Sequence, residues 1–194
     1  MRANRSFPII GITFLLLASA QAQATTARGR RLEPEEFSGV LLTKAGGATI
    51  PVTLHVDSFT TAKEVGTLAR TLGHDGQHAV VATLAEMKPR GWIRVGNLIG
   101  FEVPIIRSFT TEKGTRIFAV LDRPFPIWEQ LQGRHSSDYA YGMVELNLAV
   151  DGSGKGILVG AGRAMFTDDG KVEMLGYGGK PYTILGVTEE PPGK

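Results

Sequence analysis

The spacing of apolar residues changes along the chain from alternation to a helical period and then back to alternation. In the segment 49–56, apolar side chains occupy every second position, from Ile50 to Val56, which is typical of a strand with one buried face. A second apolar run, 37–43, precedes it and is separated from it by a short segment that contains Gly46-Gly47. These two runs predict a β-hairpin.

The next segment, 61–88, has the period of an amphipathic helix. Thr61 and Glu64 have the spacing of a capping box, in which each side chain binds a free backbone amide of the first helical turn. Gly73 can end a first helix and Asp75 can begin a second. The segment therefore predicts a helical hairpin.

Alternation returns after the helical segment and continues toward the end of the chain, except at 123–131, where two prolines favour a loop with a short helical turn. Turn residues separate the runs, as in Glu112-Lys113-Gly114 and Asp168-Asp169-Gly170. The predicted strands are 92–98, 102–110, 115–122, 141–150, 156–166, 171–177 and 182–188. The predicted fold class is α+β: an antiparallel β-meander sheet or partial barrel of about nine strands with one helical hairpin.

The N-terminal residues have the order of a secretory signal. Arg2 and Arg5 precede an apolar run over 7–18, and Ala20-Gln21-Ala22 supplies small residues for cleavage. The run is too short to span a bilayer, and no second apolar run of that length follows. We therefore expect a secreted or periplasmic protein without a membrane anchor after cleavage.

This signal sets the expected domain organisation. Residues 23–35 are polar and without periodicity, which favours a flexible linker. The expected order is a signal peptide (1–22), the flexible linker (23–35), a single globular β-rich domain (36–190) and a short tail (191–194).

Charge and cysteine content exclude several classes of protein. Cleavage removes two of the 21 basic residues and leaves them equal in number to the 19 acidic residues, so no basic footprint for nucleic acid exists. The chain contains no cysteine, which excludes disulfides, thiol nucleophiles and thiolate-bound metals.

Three motifs with a superficial likeness to functional sites favour ordinary structure. His74 and His78 have a metal-ligand spacing, but glycines interrupt them and no third ligand is evident. The loop 151–156 resembles a calcium loop, but Lys155 stands at a ligand position, so a β-turn is expected. Residues 135–138 contain His, Ser and Asp, but neighbours in one loop rarely point at one another. We expect neither a bound metal nor a cofactor.

Amphipathic aromatic residues give one candidate ligand site. Phe125, Trp128, Tyr139 and Tyr141 flank a proline-containing loop. Such rings line pockets for small molecules because they bury area and keep a polar edge, but they also close the ends of small β-sheet domains as ordinary core. Both interpretations remain open.

Arginines within the predicted strands give a second ambiguous feature. Alternation could place some of them on an inner face as anion contacts, although solvated arginines on an outer face are commoner. The residues concerned are Arg94, Arg107, Arg116 and Arg163.

The C-terminal half of the chain resembles a known group of proteins. The residues that carry the resemblance are RP at 123–124, SSDY at 136–139, VELNL at 144–148 and DGSGKG at 151–156. The group consists of secreted β-rich bacterial proteins, many of them from acidobacteria, without an assigned activity. The resemblance implies a secreted β-rich domain and no catalytic residue.

These features favour a non-catalytic binding or envelope-interaction module over an enzyme. Its partner would be a small molecule or an envelope protein, and neither is identified by the sequence. The alternative is an extracytoplasmic hydrolase or isomerase that uses carboxylates or His135. A deep pocket with paired acids would favour the enzyme, and an exposed apolar strip would favour the binding module.

Overall fold

The computed structural model describes residues 34–42, 49–125 and 139–190. They form one helix, α1 (Ala62–Glu86), and ten strands. The strands are β1 (Glu35–Leu42), β2 (Thr49–Val56), β3 (Gly91–Val95), β4 (Phe101–Glu102), β5 (Ile105–Thr111), β6 (Gly114–Val120), β7 (Tyr141–Ala149), β8 (Ser153–Phe166), β9 (Val172–Tyr177) and β10 (Tyr182–Glu190). Among these residues, no helix has the length and apolarity needed to cross a membrane. The α+β class is confirmed.

The ten strands form one antiparallel sheet. Its order is β4-β3-β2-β1-β10-β8-β7-β6-β5, and β9 pairs with β8. Strands β5 to β8 form a meander, as predicted. Strand β10 does not extend this meander by pairing with β9, because it lies between β8 and β1 and pairs with both. The sheet is open and not a closed barrel, with β4 at one end and β5 at the other.

The structure has ten strands where about nine were predicted, because the run 102–110 is divided. Val103 and Pro104 lie between β4 and β5 and belong to neither strand. Proline has no backbone N–H to donate to a ladder. The amide of Val103 instead donates to the carbonyl oxygen of Gly91 at 3.0 Å, which ties this link to the first residue of β3.

The predicted helical hairpin over 61–88 is also wrong. The segment forms the single helix α1, interrupted at Gly76, whose φ of 79° is a conformation that favours glycine. Gly73, expected to end a first helix, lies inside α1. Buried residues before and after Gly76 belong to one apolar cluster. These residues are Val65, Leu68, Val80 and Leu84.

The capping box at the start of α1 is confirmed. The backbone amide of Glu64 donates to Thr61 Oγ1 at 3.3 Å, and the amide of Thr61 donates to Glu64 Oε2 at 2.8 Å. Glu64 also forms an ion pair with Arg90. Burial raises the pKa of Glu64, but the Thr61 hydrogen bonds and the charges of Arg90 and Arg107 outweigh it, so the pKa is lowered.

Apolar residues form a separate core on each face of the sheet. We call them the inner core and the helix-side core. The inner core includes Phe37, Leu54, Ile93, Ile117, Leu146, Leu158 and Ile184. Strands β3 and β6 are far apart in the sheet order and both contribute, so the sheet curves around this core. The helix-side core joins α1 to Ile105, Phe118, Tyr141, Val159, Phe166 and Val172.

Candidate functional site

A cleft of about 340 Å³ lies at one end of the inner face of the curved sheet. It is bounded by the start of β1, the end of β10, the β5–β6 hairpin and the β7–β8 turn. Its volume is within the range of small-molecule sites. The lining residues are Glu35, Phe37, Thr110, Thr111, Gly114, Thr115, Ile117, Leu148, Ala149, Val150, Gly152 and Glu189.

One side of the cleft is acidic because two glutamates reach it from adjacent strands. Phe37 on β1 pairs with Glu189 on β10, and Glu35 lies two residues before Phe37 on the same face. Side chains two apart on a strand share a face, so Glu35 and Glu189 are diagonal neighbours across the strand pair. Only 8% of Glu35 is exposed, although it is an acidic residue.

A β-bulge in β10 directs Glu189 toward the cleft. Ile184 and Val187 are both buried in the inner core, although three positions apart would place them on opposite faces of a regular strand. The register between β10 and β8 shifts between these two residues. Gly186, with a φ of 59°, lies within the shift. The bulge reverses the alternation, so Glu189 faces inward rather than Glu190.

Hydroxyl groups and a tight turn form the opposite side of the cleft. Thr110, Thr111 and Thr115 come from the β5–β6 hairpin, whose turn was predicted at 112–114. Thr111 Oγ1 donates to the carbonyl oxygen of Gly114 at 3.1 Å. Gly114 has a φ of 138°, and a Cβ atom there would collide with the backbone of β7, so only glycine fits this turn.

The charges and the apolar surface of the cleft define what it can bind. Of the described residues that line it, two are glutamates and none is Lys, Arg or His, so this part of the lining is negatively charged. Glu35 and Glu189 each have interactions of their own, but a carboxylate has about four acceptor positions and can take further donors. Phe37, Ile117 and Leu148 supply apolar surface beside them.

The structure separates two of the four aromatic residues predicted as a ligand site. Phe125 belongs to the inner core, where its ring meets Phe101 edge to face at a centroid distance of 5.8 Å. Tyr141 belongs to the helix-side core, with Phe166 edge to face at 6.1 Å. Both are about 1% exposed, so they lie in the apolar core on different faces of the sheet.

The other two aromatic residues lie elsewhere. Tyr139 is half-buried beside the β9–β10 turn, close to Gly178. Trp128 and His135 lie outside the described residues. Of the three that the structure describes, Phe125, Tyr139 and Tyr141, none lines the cleft at Glu35 and Glu189. The aromatic site therefore stays a prediction.

Tyr141 provides a test of how a buried hydroxyl affects stability. Its hydroxyl is buried without a hydrogen-bond partner among the described residues, and burial raises its pKa to about 12. Because an unsatisfied buried hydroxyl costs stability, we expect Tyr141→Phe to raise the free energy of unfolding by about 1–2 kcal/mol, measured by urea denaturation at neutral pH. A decrease of similar size in the free energy of unfolding would show that the hydroxyl has a hydrogen-bond partner.

The same residue predicts an alkaline dependence. Its pKa is higher in the folded protein than the value near 10 of an unfolded chain, so the folded state binds the phenolic proton more tightly. The resulting stability is fully present below about pH 10 and is lost as the pH rises through about 12. Tyr141→Phe removes the part of the decrease in unfolding free energy at high pH that comes from this hydroxyl. Urea denaturation at a series of pH values measures the difference.

The remaining motifs have structural roles or no completed ligand set. Asp151 Oδ1 accepts hydrogen bonds from the Ser153 hydroxyl at 2.7 Å and from the Ser153 amide at 3.0 Å, which lowers the pKa of Asp151 and confirms a turn. His74 Nδ1 contacts Asp75 Oδ1 at 2.6 Å on the exposed surface. Within residues 34–42, 49–125 and 139–190, no three His, Cys, Asp or Glu residues are grouped for a metal.

The sequence patterns did not identify the glutamates of the cleft. Glu35 fell in the predicted linker, and Glu189 lies at the end of a strand whose alternation favours Glu190 as the inward residue. The one available signal was Gly186, since an isolated glycine within a strand indicates a bulge.

Comparison of the chain with protein-family models, with curated proteins and with solved structures gives no match.

Proposed function

We propose that the protein is an exported, non-catalytic binding module whose cleft takes a small ligand with a cationic group on an apolar body. One observation carries the proposal: among the described residues, two carboxylates and no basic side chain line a cleft of ligand size. A ligand ammonium would bind at Glu35 and Glu189, and its carbon atoms would cover Phe37 and Ile117. The threonine hydroxyls opposite can accept or donate further hydrogen bonds.

Export is part of this proposal. The order of basic residues, apolar run and small residues within 1–22 supports a cleaved signal and a secreted or periplasmic location. The resemblance of 123–156 to secreted β-rich bacterial proteins supports the same location. The globular domain, in which β1 begins at Glu35, would then carry the cleft as a soluble module.

The proposal predicts binding of a simple amphipathic cation. We expect n-hexylammonium to shift backbone amide resonances of the cleft residues, with a dissociation constant in the range of roughly 0.1 to 10 mM. Because Glu189→Gln removes one charge with little change of shape, it is expected to weaken binding about fivefold or more. The measurement is an NMR titration of the isotope-labelled protein.

Two controls make the result specific. Glu190→Gln makes the same change on the neighbouring residue, which is exposed and forms a hydrogen bond with Ser38, and should leave binding unchanged. Hexanol keeps the apolar body without the charge and should bind more weakly. Equal binding by Glu189→Gln, or shifts only at residues outside the cleft, would contradict the proposal.

The enzyme alternative is favoured by one observation, since the same two carboxylates could act as an acid and a base. Diagonal neighbours on adjacent strands are about 7–8 Å apart, with Cβ atoms somewhat closer, so their flexible side chains can bring the carboxyl groups to the separations of roughly 5 to 9.5 Å used in glycoside hydrolysis. Hydrolysis of p-nitrophenyl glycosides that is abolished by both Glu35→Gln and Glu189→Gln would replace the binding proposal with this alternative.

A further inference from the structure

The chain enters the sheet at the wall of the acidic cleft. Glu35 is the first residue of β1 and also lines the cleft, so the residues before it leave the fold close to both glutamates. Glu35 and Glu189 already take part in interactions, and each carboxylate can accept more than one donor. Since no basic residue is found among the described residues of the lining, a cationic partner would have to come from outside it.

The residues just before the described fold are basic. The sequence RGRR at 28–31 carries three arginines, and we call residues 28–31 the basic segment. Together with Glu33, the residues 28–34 have three basic groups and one acidic group, which leaves two positive charges. The two glutamates of the cleft have two negative charges. Residues 191–194, which follow β10, contain one basic residue and match the cleft less well.

We propose that the basic segment of the same chain folds back into the acidic cleft as an intramolecular ligand. Arg30 binds Glu35 in this contact, and Arg28 binds Glu189. A guanidinium fits a carboxylate with two parallel N–H···O hydrogen bonds, so each pair is both directional and charge-assisted. The basic segment then competes with an external cation, a consequence that rests on the proposed function, whereas the contact itself does not.

The spacing of two of the arginines matches that of the glutamates. Arg28 and Arg30 are two positions apart, so in an extended conformation their side chains lie on one side of the chain, about 7 Å from each other. Glu35 and Glu189 are diagonal neighbours on adjacent strands, for which the separation is about 7–8 Å. The side chain of Arg31 would point to the opposite side, away from the glutamates.

The connection to β1 is long enough for this reversal. Arg30 is five residues before Glu35, a span of at most about 18 Å. The link 31–34 has the length of a hairpin loop, which is roughly 2–5 residues. A chain that turns back there over the inner face places residue 30 at the level of Glu35 and residue 28 at the level of Phe37, whose cross-strand partner is Glu189.

The contact is expected to be reversible. A short tether gives an effective concentration in roughly the millimolar range, which is comparable to the affinity of the cleft for a simple cation. An external cation binds only the fraction of molecules in which the cleft is open, so occupation by the basic segment weakens its apparent affinity. Removal of the two arginines is therefore expected to strengthen binding of an external cation.

Thiol trapping tests the contact, because the chain contains no cysteine. Gly29→Cys places a thiol between the two arginines, and Thr110→Cys places another on the opposite wall of the cleft. In dilute protein under a mild oxidant, this pair should form an intramolecular disulfide about tenfold faster, or more, than Gly29→Cys with Val40→Cys. Val40 is 37% exposed and, as the neighbour of the inner-core residue Leu41, lies on the other face of β1. Circular dichroism checks that each variant is folded.

An NMR titration with n-hexylammonium tests the competition. Arg28→Gln/Arg30→Gln should bind this cation about threefold more tightly, or better, than the unmodified protein. Arg31→Gln/Lys194→Gln is the charge-matched control, because it also removes two positive charges from outside the described residues. This control should bind like the unmodified protein.

The outcomes separate this contact from the proposed function. Fast trapping without binding of n-hexylammonium to any of these proteins would support the intramolecular contact and contradict the proposed function. Trapping at the same rate with Thr110→Cys and Val40→Cys would overturn the contact. Binding of n-hexylammonium with equal affinity by Arg28→Gln/Arg30→Gln and its charge-matched control would overturn the competition and leave the proposed function in place.

Discussion

Replacement of Gly170 by alanine is expected to lower the free energy of unfolding by about 2–4 kcal/mol. Gly170 lies in the β8–β9 turn with a φ of 83°, which strains any residue that has a Cβ atom. A Cβ atom there would also lie 2.5 Å from the Cα atom of Ala62, at the start of α1. The turn and the helix would have to separate, so the substitution loses packing in addition to backbone strain.

Gly152 isolates the steric part of this effect. It has the same φ of 83°, but a Cβ atom at Gly152 would meet nothing within 4 Å. Gly152→Ala should therefore cost only the backbone strain, about 1–2 kcal/mol. Urea denaturation of the two variants measures the difference. Equal losses would show that α1 does not rest tightly on this turn.

Local sequence signals predicted the elements whose structure depends on neighbouring residues. The capping box of Thr61 and Glu64 formed as its spacing indicates, because both partners lie within one turn. The turns at 112–114 and 151–154 were also predicted, since their glycines and Asp151 act within a few residues. Short-range geometry is encoded locally and is largely independent of the rest of the fold.

The elements that were predicted wrongly depend on contacts between distant residues. Gly73 and Gly76 are both plausible helix breaks, and packing of both halves of α1 against one core keeps the segment a single interrupted helix. Strands β1 and β10 pair although they lie some 150 residues apart in the sequence, and alternation cannot specify such a distant partner. The position of Glu189 in the cleft depends on that pairing and on the bulge at Gly186.

The positions of the arginines within strands also depend on distant contacts. The sequence pattern alone did not decide whether each side chain faces the inner or the outer side of the sheet. In the structure, Arg116 donates to Glu145 Oε2 at 2.8 Å, and the guanidinium of Arg94 lies 4.8 Å from the centroid of the Trp92 ring. Neither arginine lines the cleft. Arg107 has a different role, because it joins three segments that are distant in sequence.

The side chain of Arg107 links β5, the segment before α1 and the β8–β9 turn. Its Nη1 donates to the carbonyl oxygen of Thr60 at 2.7 Å, and its Nε donates to the carbonyl oxygen of Gly170 at 3.1 Å. The guanidinium carbon lies 5.1 Å from the centroid of the Phe109 ring. Burial lowers the pKa of Arg107, and the carboxylate of Glu64 opposes this effect.

Replacement of Arg107 by methionine is expected to lower the free energy of unfolding by about 2–4 kcal/mol, because two backbone carbonyls lose a charged donor. Arg107→Lys should fall between methionine and arginine, since an ammonium lacks the planar fork that reaches both carbonyls. Arg94→Met is the control. Its guanidinium lies over an aromatic ring on the exposed surface, and the loss should be below about 1 kcal/mol.

The Gly170→Ala and Arg107→Met variants also test each other, because Arg107 and the Cβ of an alanine at position 170 act on the same turn. If the turn holds α1 against the sheet as one unit, Gly170→Ala already displaces the carbonyl that Arg107 binds. The double variant Arg107→Met/Gly170→Ala should then lose less stability than the sum of the single losses, by about 1 kcal/mol or more in a double-mutant cycle. Strict additivity would mean that Arg107 stabilises the segment at Thr60 alone.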